Sequence, residues 1–548
     1  MARPQSNLLA WLFVAASALV VNLGSTPLYD ADEGRNAEVG REMAATNDYV
    51  MPRIDGMPYL DKPIVYFAAE AAAMEVLGPT EIAARLPAVL FTLATAFVVW
   101  WFAKRHFDEE SAFVAAIAYL TMPLVLAFAR TVIFDSALTF FMVVAIVAFY
   151  EAVAPSPGLR PPSPAVAGEG LPNLPLPVTG EGGAQRRVRA LAWAAIAFGV
   201  ITKGPVAIAV PLLIAIPFAI KQKKLRSLWS WWGLVAFVAI IAPWVWAVSQ
   251  VVPDFLHYVV VTETAQRLAT KALKRTGPPW YFIPYVIGGA LPWTIVAIAN
   301  VREWRRKLDP ATLYAILWVL IPFIFFSISQ SKRPQYILPV MPAIALLVAR
   351  ATRGFRAAAI AWIALGVALL AAPPFLKMRP ELLDAAKTSA IGLGIVMLVA
   401  GIVVLLVKKR EVLIIALSMP VVAIPILANP IMKAIGERRS AHAFVEQIRP
   451  QLGPATEVVG IEAYTGSMQF YLQKPITVVT PDAEEFTSNY IIRHYAQFAD
   501  GQWAVRRNLT LDGDRVFVVR NDDHANRVLL ESRGKRLIAT AAHFVAYK

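Results

Sequence analysis

This sequence predicts a polytopic α-helical membrane protein with a small C-terminal α/β domain, on three observations. Of its 548 residues, 57% are hydrophobic and only 16% charged, against roughly 45–50% and 25% in soluble chains. The apolar residues gather in runs of about 20, the length that crosses a hydrocarbon core of roughly 30 Å. From residue 436 the composition becomes that of a soluble domain, with short strand-like runs. Cysteine is absent, which excludes disulfides, iron–sulfur clusters and Cys-ligated zinc. A net charge of +14 would suggest nucleic acid in a soluble chain. In a membrane protein it follows from basic cytoplasmic loops, so no nucleic-acid partner is expected.

Thirteen candidate spans run in order: 7–23, 82–102, 112–128, 132–150, 189–203, 205–220, 228–249, 280–299, 311–328, 336–350, 355–372, 389–407 and 411–428. The first reads as a retained anchor, since only Arg3 flanks it and no small-residue cleavage site follows. Pro63–Gly78 is also apolar, but Glu70 and Glu75 interrupt it. Carboxylates facing hydrocarbon are costly, so this stretch reads as an interfacial helix. With it set aside, six basic clusters share one side: Lys104-Arg105, Arg186 to Arg189, Lys221 to Arg226, Arg302 to Lys307, Arg350 to Arg356 and Lys408 to Arg410. The positive-inside rule then puts the N-terminus in the cytoplasm. The first loop and the C-terminus fall on the outer side, the periplasm if the host is a bacterium.

The domains are therefore 1–435, containing a first outer loop at 29–80, and 436–548. Residues 151–188 hold eight prolines and read as a disordered cytoplasmic insertion, because such a segment buries too little apolar surface to offset its ordering entropy. In the C-terminal part Arg439–Leu452 reads as an amphipathic helix. Glu457–Glu462, Thr477–Thr480, Arg515–Arg520 and Ala542–Tyr547 read as strands.

Charges that break the topology rule carry the functional signal. The first outer loop opens Tyr29-Asp30-Ala31-Asp32-Glu33-Gly34-Arg35-Asn36-Ala37-Glu38 and closes Tyr59-Leu60-Asp61-Lys62-Pro63. Spacing by threes lets Asp32, Arg35 and Glu38 share a helical face. Further cations on this side are Arg130, Lys203, Lys332-Arg333 and, in a longer loop, Arg267, Lys271, Lys274 and Arg275. Phosphate is the natural partner for Arg and Lys so placed. Anionic lipid headgroups would satisfy the same charges.

Four runs of this sequence resemble a known family. They are Asp32-Glu33-x-Arg35-Asn36-Ala37-Glu38, the run from Pro52 to Pro63, Thr202-Lys203-Gly204-Pro205, and Ser331-Lys332 through Tyr336-Ile337-Leu338-Pro339. They are similar to the GT-C glycosyltransferases, in particular the ArnT-like aminoarabinose transferases of lipid A, which are related to protein O-mannosyltransferases. The resemblance implies a GT-C fold and a polyprenyl-phosphate-linked sugar donor. It also implies an envelope acceptor such as lipid A or lipopolysaccharide, and a cavity at the outer membrane face of a monomer. By the same resemblance Asp32, Glu33 and Asp135 would be catalytic. Arg35, Lys62, Lys203, Arg267, Lys332, Arg333 and Tyr336 would bind the donor phosphate or line the cavity.

The chemistry fits. Glycosyl transfer develops oxocarbenium-like charge while a phosphate leaves, and Arg and Lys stabilise that leaving charge without proton transfer. An alcohol acceptor needs a general base, which Asp32 supplies; a phosphate acceptor needs Asp32 only to orient it or to stabilise the sugar. No metal is required, although a divalent ion is compatible with the chemistry. Two other readings stay open: transfer to protein hydroxyls or another envelope glycan, and a secondary transporter. Transporters favour internal repeats and charges near the midplane, whereas these charges collect at one face.

Overall fold

The computed structural model describes residues 4–154, 181–259, 277–306, 308–501 and 503–548. It opens with α1 (Pro4–Ser17), α2 (Asp32–Thr46), α3 (Val65–Leu77), α4 (Glu81–His106), α5 (Glu109–Leu120), α6 (Pro123–Ala129), α7 (Asp135–Val153), α8 (Glu181–Lys203), α9 (Val206–Lys221) and α10 (Trp231–Val251). Local chemistry sets the boundaries. The Thr80 hydroxyl accepts from the Ala83 amide at 3.2 Å to start α4, and Lys104, Arg105 and His106 fill its last turn, where cations suit the helix dipole. Asp108 caps α5 through the Ser111 amide at 2.7 Å.

The chain is a multi-pass membrane protein. Every predicted span coincides with a helix or with a bent helix pair. The count of thirteen full crossings goes further than the helices do. Among the described residues, six helices are long and apolar enough to cross, or eight if each bent pair forms one span. The pairs are α5 with α6, bent by 64°, and Phe282–Gly289 with Trp293–Arg306, bent by 98°. Ser6–Ser17, α9, Pro334–Ala349 and Phe355–Ala371 are apolar but shorter than the roughly 20 residues of a straight crossing. The core of the expected insertion, 155–180, lies outside the described residues. Its flanks are helical, 151–153 completing α7 and 181–188 opening α8. First and last membrane helices are tied together: the Trp11 indole donates to Ser418 Oγ at 2.7 Å and the Asn22 amide to the Pro425 carbonyl at 3.0 Å.

The first loop folds as α2, a hairpin of β1 (Arg53–Ile54) and β2 (Met57–Pro58), and α3. The α3 helix occupies the stretch read as interfacial, and its Glu70 turns inward. That side chain is wholly buried against Gly40 of α2, where an added Cβ would lie 2.7 Å from Glu70 Cβ. Neither carboxyl oxygen has a hydrogen-bond partner. Burial, aided by the Glu33 charge, pushes its pKa well above the ordinary carboxylate value, which favours the neutral acid.

The C-terminal domain is a six-stranded sheet in the order β5-β4-β3-β6-β8-β7. The strands are β3 (Glu457–Ile461), β4 (Ile476–Val479), β5 (Val505–Arg506), β6 (Arg515–Arg520), β7 (Leu537–Thr540) and β8 (Phe544–Tyr547). Parallel β4 and β6 flank β3, and β8 pairs antiparallel with β6 and β7. All four predicted strands are present, and β5 and β7 are added at the edges.

This domain shares a hydrophobic core with the first loop. Leu28, Met43, Tyr66 and Phe67 lie in one buried cluster with Phe444, Met468, Ile476 and Val516. The contact is close because glycine meets glycine. A Cβ on Gly466 would lie 2.3 Å from Arg35 Cα, and one on Gly34 would lie 2.6 Å from the Ser467 nitrogen.

Candidate active site

Asp32 is the first residue of α2, where the helix N-terminus favours an anion. Its carboxylate is half-exposed and holds two guanidiniums, Arg35 one turn along at 2.7 Å and Arg333 at 2.8 Å. Burial works against the charged form, but Arg35 and Arg333 outweigh it and hold the carboxyl below its usual range. Arg35 is largely buried and also covers the Tyr59 ring, 5.8 Å from its centroid. Glu38 does not join this group as its spacing suggested. It is buried and forms a bidentate pair with Arg41, both bonds 2.7 Å.

Glu33 has a different environment from its neighbour. It is 4% exposed and accepts two bonds from Arg85 of α4, at 2.8 and 2.9 Å, plus the amides of Val132 and Tyr29. Both oxygens are engaged in holding Arg85 and the backbone, whereas Asp32 stays half-exposed. Arg85 also donates to the carbonyls of Leu23, Thr26 and Pro27, pinning the chain between α1 and α2. An arginine inside an apolar stretch is itself a functional signal; the sequence reading passed over it.

The Glu33–Val132 bond, with Asn36 donating to the Val132 carbonyl at 3.2 Å, locks the entry to α7 onto α2. Asp135, in the first turn of α7, is thereby brought to this side of the bundle. It is buried and pairs at 2.5 Å with Lys203, the last residue of α8. The Lys203 ammonium also lies 4.7 Å over the ring of Tyr336, a cation–π contact. Tyr336 belongs to the 3-10 segment Pro334–Val340, which directly follows Arg333. That short segment therefore joins the Asp32 and Asp135 groups.

The other candidates are placed less directly. Lys62 donates to the Asp61 carbonyl at 2.6 Å. The Asp61 carboxylate accepts from the Tyr258 hydroxyl at 2.8 Å and from the amides of Asn489 and Tyr490. Lys332 turns away from its neighbour and caps the Ser329 carbonyl at 2.5 Å. Arg130 is engaged by the carbonyls of Ala18 and Leu19 at the end of α1. Arg267 lies outside the described residues. Thr487, which receives the Arg35 guanidinium, carries no motif and was not legible as a site residue.

Comparisons with known proteins bear on the fold and the family this chain resembles. A family model described as dolichyl-phosphate-mannose-protein mannosyltransferase matches residues 61–157. An undecaprenyl phosphate-alpha-4-amino-4-deoxy-L-arabinose arabinosyl transferase of Aeromonas hydrophila is 31% identical over 334 residues, 60% of this chain and 56% of that protein. Its namesake from Yersinia enterocolitica is 32% identical over 349 residues, 62% of this chain and 58% of the relative. The alignments thus span less than three-fifths of these relatives' own length. The crystal structure of ArnT from Cupriavidus metallidurans bound to undecaprenyl phosphate superposes with a TM-score of 0.80 at 24% identity, covering 98% of this chain and 97% of that one. The fold is that of this ArnT structure, and the resemblance to ArnT-like transferases is borne out.

Proposed function

We propose that this chain is a glycosyltransferase that moves a sugar of the aminoarabinose type from undecaprenyl phosphate to a phosphate of lipid A. In this reading it sits in the inner membrane of a Gram-negative cell as a monomer, crosses thirteen times, and keeps its site and C-terminal domain in the periplasm. The six basic clusters on the opposite face support that orientation.

The observation that carries the reading is Asp32 held ionised between Arg35 and Arg333, beside the Asp135–Lys203–Tyr336 chain. The sugar C1–O bond to the carrier phosphate breaks, and an acceptor oxygen forms the new bond to C1. Arg333, Lys62, Lys203 and Arg267 stabilise the departing phosphate, and Tyr336 lines its path. A carboxylate held below its usual pKa is a weak base, so Asp32 is better suited to stabilising positive charge on the sugar than to deprotonating an alcohol. A phosphate acceptor is already an anion and needs no base, which favours lipid A phosphate over a protein hydroxyl. Glu33 supports Asp32 through the backbone. The transfer needs no metal.

The test is purified full-length protein in liposomes with undecaprenyl-phosphate-linked aminoarabinose and lipid A. Mass spectrometry is expected to show lipid A heavier by one sugar, with or without chelator. Transfer only to a lipid A lacking phosphates, or only to a peptide, would overturn the acceptor assignment.

A further inference from the structure

Thr487 of the C-terminal domain lies 452 residues beyond Arg35, yet its hydroxyl and carbonyl both accept from the Arg35 guanidinium, at 2.5 and 3.3 Å. Its backbone stands at φ 51°, a region that β-branched residues seldom adopt and that clusters at functional positions. The turn is built to hold that shape. Ala483 is also left-handed at φ 61°, and its amide donates to Thr480 Oγ1 at 3.1 Å. The Tyr495 hydroxyl donates to the Thr480 carbonyl at 2.6 Å. Just beyond Thr487, the amides of Asn489 and Tyr490 donate to Asp61 at 2.9 and 3.2 Å, next to Lys62.

Other contacts also dock the domain. Asp30 already accepts from Ser467, Asp55 accepts from the Gln469 side chain at 2.9 Å, and Gly34 crosses Gly466. The 484–490 turn instead touches both halves of the first-loop machinery, the Asp32–Arg35 pair and the Asp61-Lys62 step.

We propose that the 484–490 turn is a positioning element of the transferase site: Thr487 sets the angle of Arg35, and through it of Asp32, while the Asn489 and Tyr490 amides set Asp61 and so the bearing of Lys62. The assignment rests on the glycosyl-transfer reading above. Thr487 touches no reacting atom and acts through Arg35.

The experiment uses the full chain in liposomes with the lipid-linked donor and lipid A, and two readouts. Thr487→Val keeps the β-branched shape and removes the hydroxyl. It is expected to lower kcat about tenfold, as for loss of one charge-assisted hydrogen bond, with the donor KM changed less than about twofold. Thr487→Ser is expected to restore kcat to within about twofold of the unsubstituted enzyme. The second readout is hydrogen–deuterium exchange of residues 30–38, which should quicken in Thr487→Val and recover in Thr487→Ser. If Thr487→Val prevents folding, Thr487→Gly relaxes the left-handed backbone while still deleting the hydroxyl, and the same readouts apply. Unchanged exchange overturns the clamp. Faster exchange with unchanged kcat, or a kcat loss that Ser does not rescue, overturns the positioning role. Faster exchange in a protein whose unsubstituted form transfers no sugar overturns the transferase reading and leaves the clamp standing.

Discussion

Asp32 and Arg333 stand 301 residues apart in the chain and 2.8 Å apart in space. One partner opens α2 in the first loop, and the other precedes the 3-10 segment Pro334–Val340. A half-exposed carboxylate gains only modestly from such pairs in stability. The effect that matters is electrostatic: two guanidiniums favour the charged form of Asp32.

Asp32→Asn keeps the shape and removes that charge. Turnover is expected to fall at least about a hundredfold, within the range of one essential electrostatic group. Measuring kcat in liposomes across neutral to alkaline pH separates the roles. An alcohol acceptor would be partly rescued at high pH, whereas a phosphate acceptor gives a flat, low profile.

Glu33→Gln is expected to act on folding. It leaves Arg85 buried without a countercharge, a change that costs about 3–5 kcal/mol. Glu33→Leu combined with Arg85→Met removes both charges and should destabilise less than either single change. Thermal unfolding of the purified variants checks this, and a fully stable Glu33→Gln enzyme with no turnover would return Glu33 to the chemistry.

Tyr336 holds Lys203 through its ring. Tyr336→Phe keeps that face and should retain kcat/KM within about threefold. Tyr336→Leu loses a partly desolvated cation–π contact of about 1–2 kcal/mol, or roughly five- to thirtyfold in kcat/KM at limiting donor. Equal activity of the two variants would show that the hydroxyl, or neither group, matters.

The junction of first loop and C-terminal domain depends on pH with a defined sign. Burial lifts Asp30 to about 6 against the Ser467 bonds, and lifts Glu38 to about 7 despite Arg41. The folded protein therefore binds protons that the unfolded chain, with values of 3.8 and 4.5, has released. Stability from these groups is greatest at acid pH, declines as pH rises through that window, and is lost above about 7. Asp32 has the opposite sign, but its loss begins only below 3.8. Tm should rise on going from about pH 7.5 to about pH 5, and Glu38→Gln should flatten that slope.

The sequence reveals what local patterns encode. Apolar runs mark the helices, and the alternation at Arg515–Arg520 and Glu457–Ile461 marks the central strands. The edges escape notice because β5 has two residues and only one of the four in β7 is buried. Asp32, Arg35 and Asp135 are found from spacing, motif and topology. What distinguishes Asp32 from Glu33 is not local: it depends on Arg85, 52 residues away, reaching one carboxylate and not the other. The Thr487–Arg35 contact has no local signature, because nothing near Thr487 predicts an arginine from the opposite end of the chain.

The core shared between the first loop and the C-terminal domain orders events during biosynthesis. Residues 28–61 are made early, and their partners follow more than 400 residues later: Tyr471 for the Leu28 amide, Ser467 for Asp30, Gln469 for Asp55 and Asn489 for Asp61. Synthesis runs from the N-terminus, so the loop waits with these groups unmatched while the remaining membrane helices are inserted. The candidate site around Asp32 and Arg35 is therefore complete only once the C-terminal sheet has folded back onto the first loop.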